Sequence, residues 1–141
     1  MRVSFNVSPK SQKSFDQSLE AVLSKIGKNT RKGAIEACRI ISEDSLNQVP
    51  RDTDTLAMSQ FWEVTGYYKT GWNAIIGYGG NGDPINPKTG RRASSYMVVV
   101  HEDLDALHII GKAKFLEDPI RDYYRERFPR TIMQYVNDAL K

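Results

Sequence analysis

The segment YMVVVHEDLDALHIIGKAKFLEDPI, residues 96–120, gathers the most chemically versatile side chains of the chain: His101, Glu102, Asp103, Asp105, His108, Glu117 and Asp118. Imidazole and carboxylate together can hold a transition metal or move a proton, so those are the two chemistries to weigh. A zincin places two histidines four residues apart on one helix so that both face one metal, whereas His101 and His108 are seven apart. A looser site of two histidines with Glu102 or Asp105 would need His101 at the end of a strand and His108 in the loop after it. The reading we favour has the histidines bonded to backbone groups and the acidic run solvated at a loop or an interface. Glu117 and Asp118 could join Asp52 and Asp54 around Mg²⁺, yet carboxylates at helix and strand starts are common caps.

A hydrolytic nucleophile finds no support. The chain has no G-x-S-x-G and no phosphate-cradling Gly-rich loop before a helix, and its single cysteine, Cys38, sits among Ala34, Ala37 and Ile41 as a small buried hydrophobe does. One cysteine also excludes an intrachain disulfide. No catalytic residue, metal ligand or cofactor is therefore expected. Trp62, Tyr67, Tyr68 and Trp72 could stack on bases if exposed, but cross-strand packing is the favoured role.

The elements that position these residues are read from periodicity. With 141 residues, 40% apolar and 26% charged, the chain fits one α+β domain over 1–141. Phe15, Leu19, Val22 and Ile26 line one side of a first helix ending near Gly27. Asn29 or Thr30 can cap a second, carrying Ala34, Ala37, Cys38, Ile41 and Ser45 to about Gln48, before Pro50. Its small side chains suit a helix lying on a sheet. LAMSQFWEV, GWNAIIGYG and ASSYMVVVHE read as strands, with Thr65-Gly66 turning between the first two, which predicts an antiparallel meander of three to four strands. Residues 79–94, rich in glycine and proline, form a long flexible loop ending in Arg91 and Arg92. Asp118-Pro119 opens a C-terminal helix with Ile120, Tyr124, Phe128, Ile132, Val136 and Leu140 on one side, kinked near Pro129.

Charge narrows the partners. The net charge of +3 is dispersed apart from Lys25, Lys28, Arg31 and Lys32, read as a solvated turn between the two helices. The N-terminal MRVSFNVSPKSQ lacks the apolar core of a signal peptide, and no apolar run approaches the roughly 18–20 residues that span a bilayer, so no membrane partner is expected. The alternative to a structural role is a small basic RNA-binding or ribonuclease-toxin-like module, which would bind with a steep salt slope.

Two stretches carry a family likeness: V-P-R-D-T-D-T-L, residues 49–56, and Y-M-V-V-V-H-E-D, residues 96–103, followed by G-K-A-K-F-L-E-D-P-I, residues 111–120. Their order resembles the neck and tail-completion proteins of tailed bacteriophages, the minor capsid or head–tail connector family. In that family a helix ends in a V-P-x-D-T-G-x-L turn, a meander follows, and a Y-x-x-x-V-x-E strand leads into a K-F-L helix start. The matching positions are Pro50, Asp52, Thr53, Leu56, Tyr96, His101, Glu102, Phe115, Leu116 and Pro119. Asp54 stands where the family has glycine, and the family's glycine soon after the acidic residue is missing. The resemblance implies a virion protein without catalysis, assembled in the host cytoplasm into a ring at the neck. Six copies are implied, with twelve the alternative. The implied neighbours are the portal, an adaptor, a stopper or the tail terminator, with non-specific contact to channel DNA. Interface candidates are Lys25, Lys28, Arg31, Lys32, Arg91, Arg92, Glu102, Asp103 and Asp105.

Overall fold

The computed structural model describes residues 8–80 and 82–141. The signal-peptide reading of the N-terminus rests largely on positions outside that range. The first element is a single helix, α1, Pro9–Leu46, whose amino end is capped by the Ser8 hydroxyl accepting from the Ser11 amide at 3.2 Å. The two helices expected on either side of Gly27 are therefore one. A glycine inside a helix costs about 1 kcal/mol relative to alanine, and tertiary contact explains its place here. A Cβ at Gly27 would stand 2.2 Å from the Cβ of Tyr68. The Gly27 carbonyl accepts from the Thr30 hydroxyl at 2.8 Å and from the Trp72 indole N–H at 3.2 Å. Residues that read as punctuation form the seat of the hairpin.

A short helix, α2, Thr55–Met58, precedes two antiparallel strands, β1, Phe61–Tyr67, and β2, Gly71–Gly77, paired from Phe61↔Gly77 to Tyr67↔Gly71. Among the described residues the sheet thus has two strands rather than three or four, and its turn lies over 68–70, beyond Thr65-Gly66. The third expected strand, ASSYMVVVHE, is a 3-10 turn, Ala93–Ser95, followed by α3, Met97–Glu102. Burial there follows a helical period: Tyr96, Met97 and Val100 pack on the core, while Val98 and Val99 face outward. A short apolar run cannot be assigned to strand or helix from hydrophobicity alone.

Within the expected loop, residues 82–94 fold back on themselves. Ile85 and Arg92 form an isolated bridge, and the Asn86 amide oxygen accepts from the Lys88 amide at 2.9 Å. The Asp83 carboxylate accepts from the Ser94 amide at 2.8 Å and its hydroxyl at 2.7 Å. Two helices close the chain, α4, Glu117–Glu126, and α5, Phe128–Leu140, separated at Arg127 with Pro129 in the first turn of α5. The break expected near Pro129 is present. The cap is not Asp118: Leu116 holds the cap position, and the Asp118 carboxylate accepts from Lys112 and Arg121, both at 2.6 Å. Of the expected face, Phe128, Ile132 and Val136 are half-buried, but its two ends are turned outward. Tyr123 and Ala139 are buried, whereas Ile120, Tyr124 and Leu140 are exposed.

Two clusters form the core. One joins Val49, Leu56, Ala57, Tyr78, Ala93 and Phe115; the other joins Ala37, Ile41 and Tyr123, with Ile76 and Phe128 against them. Phe128 lies beside Ala37 and Ile41 while Ile132 and Tyr135 lie on Gly33, so α5 runs back along α1. The small stripe of α1 is what admits this close approach, and Cys38, 1% exposed, belongs to it. Burial raises the Cys38 thiol pKa, so the thiol stays protonated.

Candidate assembly interface

The two stretches that carry the family likeness meet in space. The Lys112 amide donates to the Gln48 carbonyl at 2.9 Å, and the Arg51 amide to the Ile110 carbonyl at 3.3 Å. Gly111 lies directly on the chain at Val49 and Pro50, where a Cβ would come within 2.5 Å of the Pro50 nitrogen. Asp54, at φ 55°, adopts the left-handed conformation that favours glycine, and Arg51 pairs with its carboxylate at 3.1 Å. The Thr53 and Thr55 hydroxyls are hydrogen-bonded at 2.8 Å, and Asp52 is bridged by Lys88. Leu56 and Phe115 are buried beneath, with Tyr96 and Leu116 packed against them, and Pro119 is buried in the first turn of α4.

Phe115 is the centre of this junction. Its ring stands edge-on to Tyr78, with centroids 5.0 Å apart, and edge-on to His101 at 4.9 Å. The Tyr78 hydroxyl is in turn hydrogen-bonded to Ser45 at 2.7 Å and accepts from Gln60 at 2.9 Å. Sequence reasoning missed this buried polar set, because residues 33 and 18 positions apart in the chain leave no local signal.

The histidines have separate structural settings. His101 Nδ1 bonds to Glu102 at 2.7 Å, and its Nε2 accepts from the Glu117 amide at 3.3 Å. It lines a cavity of about 320 Å³ with Phe61, Tyr78, Met97 and Phe115, whereas His108 lines another with Pro50, Asp52 and Asn86. The two imidazoles do not converge with a carboxylate. Among the described residues no group of three or more His, Cys, Asp or Glu side chains is arranged to hold a metal. Glu117 and Asp118 likewise pair with Lys114, Lys112 and Arg121 rather than with Asp52 and Asp54.

The interface candidates divide by whether the chain already neutralises them. Glu102 is engaged internally: the Lys114 ammonium and then His101 hold its carboxyl below the ordinary carboxylate range. Arg91 donates to the Ser95 carbonyl at 3.2 Å and Arg92 to the Asp83 carbonyl at 3.4 Å. The Asp103 carboxylate accepts from the Asp105 and Ala106 amides, both at 3.1 Å, but neither Asp103 nor Asp105 has an ion-pair partner among the described residues. Lys25, Lys28, Arg31 and Lys32 are exposed along mid-α1 instead of in a turn, and among the described residues only Arg31 of these four has a close partner, the Trp72 ring at 5.7 Å. Trp72 is half-buried on α1, Trp62 is exposed, and the Tyr67 and Tyr68 rings pack together at 4.4 Å.

The surface holds apolar groups that sequence reasoning left out of the interface. Phe15, Leu19, Val22 and Leu23 project from α1 at 45–65% exposure, and Leu104, Leu107, Ile109 and Ile110 stand at 54–104%. The signal was LDALHII, four large aliphatics in a segment with no period to bury them. The accessible surface, 9995 Å², exceeds the roughly 7,400 Å² of a compact 16.0 kDa monomer by about a third. No helix among the described residues is long and apolar enough to cross a membrane. Comparison with protein-family models, with curated proteins and with solved structures returns no match.

Proposed function

We propose that this chain is a structural subunit of a tailed-phage neck, assembling into a ring of six copies that joins the head to the tail. The observation that carries the self-assembling role is the apolar surface left uncovered on the protomer, which is of the kind that obligate assemblies bury. The phage assignment rests on the likeness of residues 49–56 and 96–120, and two features support it. Asp54 occupies a left-handed position where a family glycine would be unstrained. Both stretches also build one junction, so the residues that carry the likeness act together in the fold.

Lys25, Lys28, Lys32, Asp103 and Asp105 are the charged groups this reading places at subunit contacts. Portal, adaptor, stopper and tail-terminator proteins are the classes of neighbour it requires, and the virion neck is its location. Negative-stain imaging of the purified protein at high concentration tests the proposal. Annular particles of uniform diameter are expected, and a field of single protomers would reject it.

A further inference from the structure

The two uncovered apolar segments lie at opposite ends of α1. At 100° per residue Phe15, Leu19, Val22, Leu23 and Ile26 share a sector of α1 about 100° wide, and Lys25 and Lys32 lie about 60° and 80° beyond one edge of it, within reach of their long side chains. Asp16 and Glu20 border the other edge, where Glu20 is paired with Lys69 and Tyr68. The second segment, Asp103–Ile110, is held against Arg51 just past the far end of the helix. From Leu19 to Leu46 the helix rises about 40 Å, at 1.5 Å per residue. One chain therefore cannot bring its own two patches together.

Their chemistry is complementary. The stripe offers aliphatic and aromatic side chains beside lysines that have no ion-pair partner among the described residues, and the loop offers aliphatic side chains beside Asp103 and Asp105, which have none either. Leu107 and Ile109 are at 101% and 104% exposure, fully open to solvent on the protomer.

We infer that the 103–110 loop of one copy docks on the 15–26 stripe of α1 in the next copy, with Asp103 and Asp105 facing Lys25 and Lys32. The inference rests on the ring reading and specifies its contact. Two different patches meeting head to tail generate a directed, heterologous interface, which closes into a ring when the rotation between copies allows. Charge pairing at its rim fixes register and makes association salt-dependent.

The test is a double variant, Leu19→Cys with Leu107→Cys, oxidised mildly and run without reductant; both positions are exposed and the native Cys38 is buried. The expected result is a ladder of covalent multimers that stops at the ring number, with neither single variant giving one. A covalent dimer from Leu19→Cys alone would mean that stripes pair with each other, overturning the contact. Multimers seen by mass photometry without a ladder would overturn the contact and leave the ring reading standing; no multimers at all would remove both. In parallel, Asp103→Lys/Asp105→Lys and Lys25→Glu/Lys32→Glu should each weaken association at low salt by roughly tenfold or more. Mixing those two variants in one chain should restore it, and a combined variant no better than either parent would overturn the charge pairing.

Discussion

Replacing Phe115 by alanine tests the junction on which the fold turns. The ring is 1% exposed and packed among Val49, Leu56, Ala57, Tyr78 and Ala93. Full burial of such a side chain contributes about 2–3 kcal/mol, and its edge-on contacts with Tyr78 and His101 add about 1 kcal/mol. Phe→Ala changes in cores cost about 3–5 kcal/mol. The adjoining open cavity of about 320 Å³ lets solvent reach the space the ring leaves, which favours the lower part of that range. We expect a loss of about 3–4 kcal/mol. For a domain of this size roughly 3–5 °C accompany each kcal/mol, so the melting temperature should fall by roughly 9–20 °C. The assay is a thermal melt followed by circular dichroism at fixed protein concentration, because assembly makes the midpoint concentration-dependent. Phe115→Leu should lose about half as much. A shift under about 3 °C for the alanine variant would refute the placement of Phe115 as the anchor of α4 on the core.

Three further outcomes are expected. Gly27→Ala should destabilise by about 1–3 kcal/mol although alanine favours helix by about 1 kcal/mol, because its Cβ displaces Tyr68; a stabilised variant in a denaturant melt would mean the hairpin is not seated there. Asp54→Gly should lie within about 0.5 kcal/mol of the parent while Asp54→Val loses about 1–2 kcal/mol, since only the valine is strained at positive φ; equal melts for the two would contradict the left-handed turn. The Glu102 carboxyl, held down by Lys114 and His101, and the Asp118 carboxyl, held down by Lys112, bind protons less readily folded than unfolded. Their contribution to stability is thus present above the ordinary carboxylate range and lost as pH falls through about 4.5 and below, so Glu102→Gln should flatten the acid limb of a melting-temperature profile. An unchanged limb would show that the Lys114 pair does not form in solution.

What the sequence made legible follows from how local each signal is. Pro50, Pro119 and Pro129 marked the end of α1 and the starts of α4 and α5 to within a few residues, because proline acts on the backbone beside it, whereas the cap expected of Asp118 did not form. Gly27 misled for the opposite reason. Its role is set by Tyr68, 41 residues away, and a local reading takes any glycine in a helix as an end. The run MVVV misled because β-branched residues favour strands on average, whereas here Tyr96, Met97 and Val100 are recruited into the core at helical spacing. Of the interface candidates, the charges of Asp103, Asp105 and the lysines were visible, but only the folded chain separates those without a partner from Glu102, which Lys114 occupies. The exposure of Leu107 and Ile109 likewise follows from where the loop is tethered.

The central claim is self-assembly into a closed ring, and sedimentation equilibrium across a wide range of protein and salt concentration measures it most directly. One dominant species is expected at low salt near six times 16.0 kDa, about 96 kDa, dissociating as salt rises. A mass that stays at one protomer across the whole range would contradict it.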